Sequence, residues 1–154
     1  MKKIVSYGLL AAVLIAGFNI SAVGQKQKSP TFNHLALYIF DLNKSTEFYK
    51  KVIQLEVIPE PFHDGRHTWF KVGEHSQLHV IQGANEITPH DRNTHFCFSV
   101  PSVEKFIAHL NQFNIPYTNA AGEAKAITIR TDGIKQIYFQ DPDNYWIEIN
   151  DDKY

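Results

Sequence analysis

Residues 34–42 read His34-Leu35-Ala36-Leu37-Tyr38-Ile39-Phe40-Asp41-Leu42, and residues 95–103 read His95-Phe96-Cys97-Phe98-Ser99-Val100-Pro101-Ser102-Val103. Set in register, each stretch places a histidine at the head of an apolar strand and a helix-capping residue behind it: Asp41 or Asn43 in the first, Ser102 in the second. The strands are expected over 32–40 and 94–100. In the helix that follows the first, over 42–53, Phe48 pairs with Val52 and Tyr49 with Ile53 at four-residue spacing, so one face is apolar while Lys44, Glu47, Lys50 and Lys51 stay wet. In the second helix Val103, Phe106, Ile107, Leu110 and Phe113 share a face before Asn114 and Pro116 end it. Three strands are expected after the first helix, at 55–58, 67–72 and 77–82, stopped by Pro59 and Pro61, Gly73 and Gly83. After the second helix they are expected at 116–119, 126–130, 135–140 and 145–150, the last two joined by the turn Asp141-Pro142-Asp143-Asn144. The chain therefore reads as an α+β fold, a degenerate duplication of one strand–helix–strand–strand–strand unit. Two such units bury their faces against each other, and a site between them draws on both.

At 154 residues the chain is the size of one domain and needs no staples to bury a core. Fifteen Lys plus Arg nearly balance sixteen Asp plus Glu, which removes the electrostatic case for nucleic acid. Residues 1–24 differ from the rest. Lys2 and Lys3 precede an apolar stretch, and Ala22-Val23-Gly24 supplies small residues before Gln25, the pattern of a cleavable secretory signal. Ser6, Tyr7 and Gly8 interrupt the apolar run, which falls short of the ~20 residues of a membrane span. The expected organisation is a signal over 1–24, a polar tether over 25–30 and a domain over 31–150, soluble and exported to the periplasm or medium with no membrane attachment after cleavage. Cys97, the single cysteine, precludes an internal disulfide and reads as a small buried thiol in mid-strand.

Four residues occupy equivalent places in the two units. His34 and His95 begin the first strand of each, and His79 and Glu148 lie in the last strand of each. Three imidazoles and one carboxylate suit a borderline divalent ion: Zn, Ni, Co, Mn or Fe. Glu148 has apolar neighbours in Ile147 and Ile149, where an unpartnered carboxylate would neutralise and a divalent ion would keep it charged. Any one of the four, alone, reads as an ordinary strand residue; their matched positions favour the metal. His63, His67, His75, His90 and His109 read as surface residues, with His63, His67, Arg66 and Trp69 near enough to a turn to line a pocket mouth.

The opening motif at 34–42 with Phe48-Tyr49, and the closing motif Phe139-Gln140-Asp141-Pro142-Asp143-Asn144-Tyr145-Trp146-Ile147-Glu148, resemble the vicinal oxygen chelate superfamily of glyoxalase I, extradiol dioxygenases and fosfomycin and bleomycin resistance proteins. The resemblance spans 31–150 and implies two βαβββ modules forming a cup-shaped open barrel, with one metal on His34, His79, His95 and Glu148. It implies a Lewis-acid metal that binds two neighbouring substrate oxygens and stabilises enolate-type charge, Glu148 as ligand and general base, and His79 as the alternative base. Bacterial glyoxalase I carries an arginine on the first strand where this chain has Tyr38, so the grip on glutathione is missing. The expected function is an exported metal-dependent lyase or isomerase acting on a small oxygenated substrate, with a homodimer compatible. The alternatives are an Fe(II) extradiol-type dioxygenase and a protein that sequesters a ligand or antibiotic without turnover.

Overall fold

Strand β1 (His34–Ile39) alternates: Leu37 and Ile39 are buried and Leu35 half-buried, while His34, Ala36 and Tyr38 face the other way. The computed structural model describes residues 29–153; the signal segment and most of the tether lie outside the described residues. Asp41 caps α1 (Leu42–Lys51), its carboxylate accepting from the Lys44 N–H. The chain then lays down β2 (Glu56–Ile58), β3 (His67–Val72) and β4 (Ser76–Gln82). β4 returns parallel to β1, giving the order β1-β4-β3-β2.

The second half repeats this topology. β5 (His95–Ser99) leads to α2 (Val103–Gln112), capped by Ser102, and then to β6 (Thr128–Ile129), β7 (Lys135–Gln140) and β8 (Trp146–Asn150). The sheet order is β5-β8-β7-β6, with β5 and β8 parallel. The expected two-module α+β architecture is present, as two open four-stranded sheets.

One apolar core serves both modules, and α1 joins them. Tyr49 meets Phe70 of β3 with ring centroids 5.8 Å apart, while its neighbour Phe48 meets Phe139 of β7 at 6.4 Å. Around them Leu78, Val80, Ile137, Ile147 and Ile149 are essentially inaccessible to solvent. Each such side chain is worth roughly 1.5–3 kcal/mol of burial. The turn between β7 and β8 adds polar ties: the Tyr49 hydroxyl donates to Asp141 at 2.5 Å, and the Phe40 N–H and Ser45 hydroxyl donate to Asp143 at 2.6 and 2.8 Å. α2 closes on α1 through His109, whose Nε2 lies 3.1 and 3.2 Å from the carbonyl oxygens of Lys51 and Val52.

Several expectations need correction. No strand forms over 116–119; Thr118 makes isolated bridges to Tyr138 and Ala124. Pro116 has no N–H to donate, and Asn119 turns its side chain to the Glu123 N–H and carboxylate, so local turn bonding displaces a ladder. The strand expected over 126–130 shrinks to Thr128–Ile129. Phe32 stands outside β1, 67% exposed. His109 is not on a wet face but packs at the helix junction, His90 stacks on Tyr145, and the His67 side chain is 12% exposed beside Asp64.

Candidate functional site

Strand alternation puts the chemistry on the face of each sheet that turns away from α1. In the first module, β1 beside β4 sets the imidazoles of His34 and His79 in a stack, centroids 4.3 Å apart and planes 14° apart. Trp69, directly opposite His79 in the β3–β4 register, stacks on its other side at 3.9 Å and 2°. Gln77 Oε1 lies 2.8 Å from His79 Nε2, and Asn33 Oδ1 lies 2.7 Å from His34 Nδ1. Burial depresses the His79 pKa, and the neighbouring His34 and His67 push it further down. A neutral imidazole, with its ring plane fixed by a sandwich, is the form that ligates a metal or accepts a proton.

In the second module Glu148 is buried among donors. Oε2 accepts from the Tyr138 hydroxyl at 2.6 Å; Oε1 accepts from Asn150 Nδ2 at 3.0 Å and lies 3.5 Å from Cys97 Sγ. The partners that a carboxylate between apolar strand neighbours needs are supplied by these side chains, because Ile147 and Ile149 face the core while Glu148 faces a polar surface. Burial and the Glu148 charge raise the Tyr138 hydroxyl well above the ordinary phenol range, so it remains a donor.

His95 completes this pair. Its Nδ1 lies 2.8 Å from the Arg92 carbonyl oxygen, which can only accept, so Nδ1 carries the hydrogen. Nε2 then points at Glu148 Oε2 from 3.2 Å. In a neutral ring that is a lone pair facing an anionic oxygen. At this distance either a proton lies between the two atoms or a metal ion bridges them. A ligating histidine that donates its other N–H to a backbone carbonyl is the usual arrangement of a metal site.

The four candidates are therefore brought together two by two. Among the described residues no three His, Cys, Asp or Glu side chains of one chain are grouped to hold an ion. The donor chemistry fits a divalent metal, and each module supplies half of it.

Residues 31–149 match the model of the Glyoxalase/Bleomycin resistance protein/Dioxygenase superfamily. The chain belongs to that superfamily. A lactoylglutathione lyase of Pseudomonas putida is 23% identical over 150 residues, covering 77% of this chain and 83% of the relative. Among solved structures, Oxidase ChaP-H2 superposes with a TM-score of 0.67 at 21% identity, covering 82% of this chain and 97% of its own. The fosfomycin resistance protein FosX from Listeria monocytogenes gives 0.64 at 21% identity, covering 80% and 93%.

In this superfamily member the sequence reading missed Asn150, Gln77 and Arg92, saw Tyr138 only as apolar pocket surface and not as the donor to Glu148, and took Cys97 for a buried core thiol. Cys97 shares the open face with His95, since Phe96 and Phe98 take the alternate direction. Burial pushes its thiol up to about 12, with the Glu148 charge and hydrogen bond adding to the rise, so it is no nucleophile at neutral pH. Pairing the sequence across the 141–144 turn would have found Tyr138, which stands opposite Glu148. Of the residues expected at a pocket mouth, His67 and Trp69 flank Phe62, with centroids 4.7 and 6.0 Å from its ring, whereas His63 points into solvent beside Glu60. Arg66 donates to the Gln82 carbonyl oxygen.

Proposed function

We propose that the protein is an exported, metal-dependent lyase or isomerase acting on a small oxygenated molecule, and that its metal centre is assembled from two copies of the chain. His34 and His79 of one copy would complete the set begun by His95 and Glu148 of the other. The observation that carries this reading is the His95–Glu148 pair, with Nε2 and Oε2 3.2 Å apart and the other ring nitrogen of His95 committed to a backbone carbonyl. The two-copy arrangement is supported by α1: it backs onto both sheets through Phe48 and Tyr49, which turns the two ligand-bearing faces away from the shared core.

A bound divalent metal would supply Lewis-acid polarisation of two adjacent substrate oxygens. Glu148 is the candidate base for a proton on the carbon beside them. Tyr138 and Asn150 hold its carboxylate in place, and Tyr138 remains protonated to stabilise the anion between turnovers. His79, fixed between Trp69 and His34, is the alternative acceptor. The open face offers apolar surface at Trp69 and Phe62 to seat the substrate and exclude water.

The test is metal analysis of protein expressed from Gln25, as wild type, as His34→Ala and as Glu148→Ala, with the two variants then mixed and refolded together. Near-stoichiometric metal in the wild type, loss in each variant and partial recovery in the mixture are expected, because a mixed pair contains one intact centre. No metal in the wild type under loading overturns the metal reading. Metal in the wild type with no recovery on mixing overturns the two-copy assembly. Export is tested by the N-terminal residue of the protein recovered outside the cytoplasm, expected to be Gln25.

A further inference from the structure

A cavity of about 280 Å³ opens beside the segment that joins the two modules, and none of the four candidate ligands lines it. Tyr38 of β1, Glu86 and His90 of the joining segment, and Asp143 and Tyr145 ahead of β8 form its walls. The volume is at the small end of ligand-binding cavities.

Its aromatic walls are held in place. The Tyr145 hydroxyl donates to the Tyr38 carbonyl oxygen at 3.1 Å, and the His90 imidazole stacks on the Tyr145 ring with centroids 4.1 Å apart and planes 16° apart. The Tyr38 ring rests against the backbone at Gly83, where a Cβ would stand 2.5 Å from its hydroxyl oxygen and 2.7 and 2.8 Å from two ring carbons. Only a residue without a side chain leaves that space, so Tyr38 is seated although it is 54% exposed.

The formal charge around the cavity is of one sign. Glu86 and Asp143 line it, and no Lys or Arg does. Asp143 is 5% exposed, and its oxygens accept from two neutral donors, the Phe40 N–H and the Ser45 hydroxyl. Among the described residues no basic nitrogen is within ion-pairing distance of Asp143 or Glu86, whereas Glu47 pairs with Lys51 and Glu104 with Lys135. Lys44 lines the adjoining cleft, beyond that distance. A buried carboxylate without a cation retains a desolvation cost that a bound positive group offsets. Aromatic faces beside carboxylates suit an organic cation, because the ring faces attract the charge and need not replace a hydration shell of oxygens as a metal ion requires.

We propose that this cavity binds a small organic ammonium group, seated on Tyr38 and Tyr145, with Glu86 and Asp143 supplying the opposite charge. The site is separate from the metal centre and stands whether or not the chain takes up metal.

The experiment titrates chelator-treated protein, expressed from Gln25, with tetramethylammonium chloride, following the Tyr38 and Tyr145 ring signals by NMR. Uncharged tert-butanol, of similar shape, and sodium and calcium chloride are titrated in parallel. Tetramethylammonium should shift both rings saturably and the other three should not. Tyr38→Leu, which keeps an apolar wall and loses the ring face, should weaken binding about threefold to thirtyfold, read at Tyr145. Glu86→Gln, at an exposed position, should weaken it without disturbing the fold. Gly83→Ala, which drives the Tyr38 ring off its seat, should weaken it with every lining group still present. No saturable shift in the wild type, an equal response to tert-butanol, or a calcium response at the same rings overturns the proposal. Unchanged affinity in both Tyr38→Leu and Glu86→Gln overturns it as well.

Discussion

Tyr138 donates its hydroxyl proton to Glu148 Oε2 across 2.6 Å, from the position directly opposite on the neighbouring strand. The bond holds a buried carboxylate by a donor that burial keeps protonated. Tyr138→Phe should therefore lower folding stability by about 2 kcal/mol, the cost of a lost hydrogen bond to a charged group. Chemical denaturation of the two proteins measures it. Equal stability would mean that Asn150 and His95 suffice for Glu148.

The Cys97 thiol is on an open face yet should resist iodoacetamide at pH 7.5, because burial and Glu148 hold it up at about 12. Replacing Glu148 with Gln removes the neighbouring charge and should speed alkylation several-fold. Mass spectrometry against time reads both rates. Fast alkylation of the wild type would contradict the geometry around Glu148.

Burial raises the Asp141 carboxyl from 3.8 to about 6, against the lowering effect of the Tyr49 hydroxyl and the N–H groups of Tyr145 and Asp143. Between those two values the unfolded chain releases a proton that the folded chain keeps, so this group's contribution to stability falls as pH rises from 4 to 6 and is level above and below. At about 1.4 kcal/mol per pH unit the loss is on the order of 3 kcal/mol. Denaturation midpoints across this range should show that slope in the wild type and its absence in Asp141→Asn. A slope unchanged in the variant would place the titration elsewhere.

Phe48→Ala should cost about 3–5 kcal/mol, because the side chain fills the space between α1 and β7 and leaves a cavity there. Urea unfolding is the measure, and a loss below about 1 kcal/mol would mean that the modules do not share this contact.

Much of this was legible because it is periodic. The duplicated histidine-headed strands, the two amphipathic helices and the turn at 141–144 all announce themselves through local spacing, and β3 and β7 match their expected bounds. The equivalent strand positions of the four candidate ligands were legible for the same reason. Their division into two pairs was not, because it depends on which surface of α1 meets which sheet, and Phe48 and Tyr49 look equally apolar in sequence. Cys97 was misjudged because its apolar neighbours were read as its surroundings, when in a strand they point to the opposite face. Arg92 carries no signal in sequence: its partners, Asn119, Ala120, Tyr138 and Trp146, are brought to it by the fold.

The parallel pairing of first and last strand in each module sets an order on synthesis. β1 finds its hydrogen-bonding neighbour when β4 has emerged from the ribosome, and β5 waits about fifty residues for β8. The first module, though complete as a sheet, still shows the bare side of Phe48 until Phe139 arrives, and Tyr49 has no acceptor before Asp141. A nascent chain halted between Gln82 and Phe139 is thus an adhesive object, half of it sheeted and its helix unpaired, and it is at that length that a holdase would find most to grip.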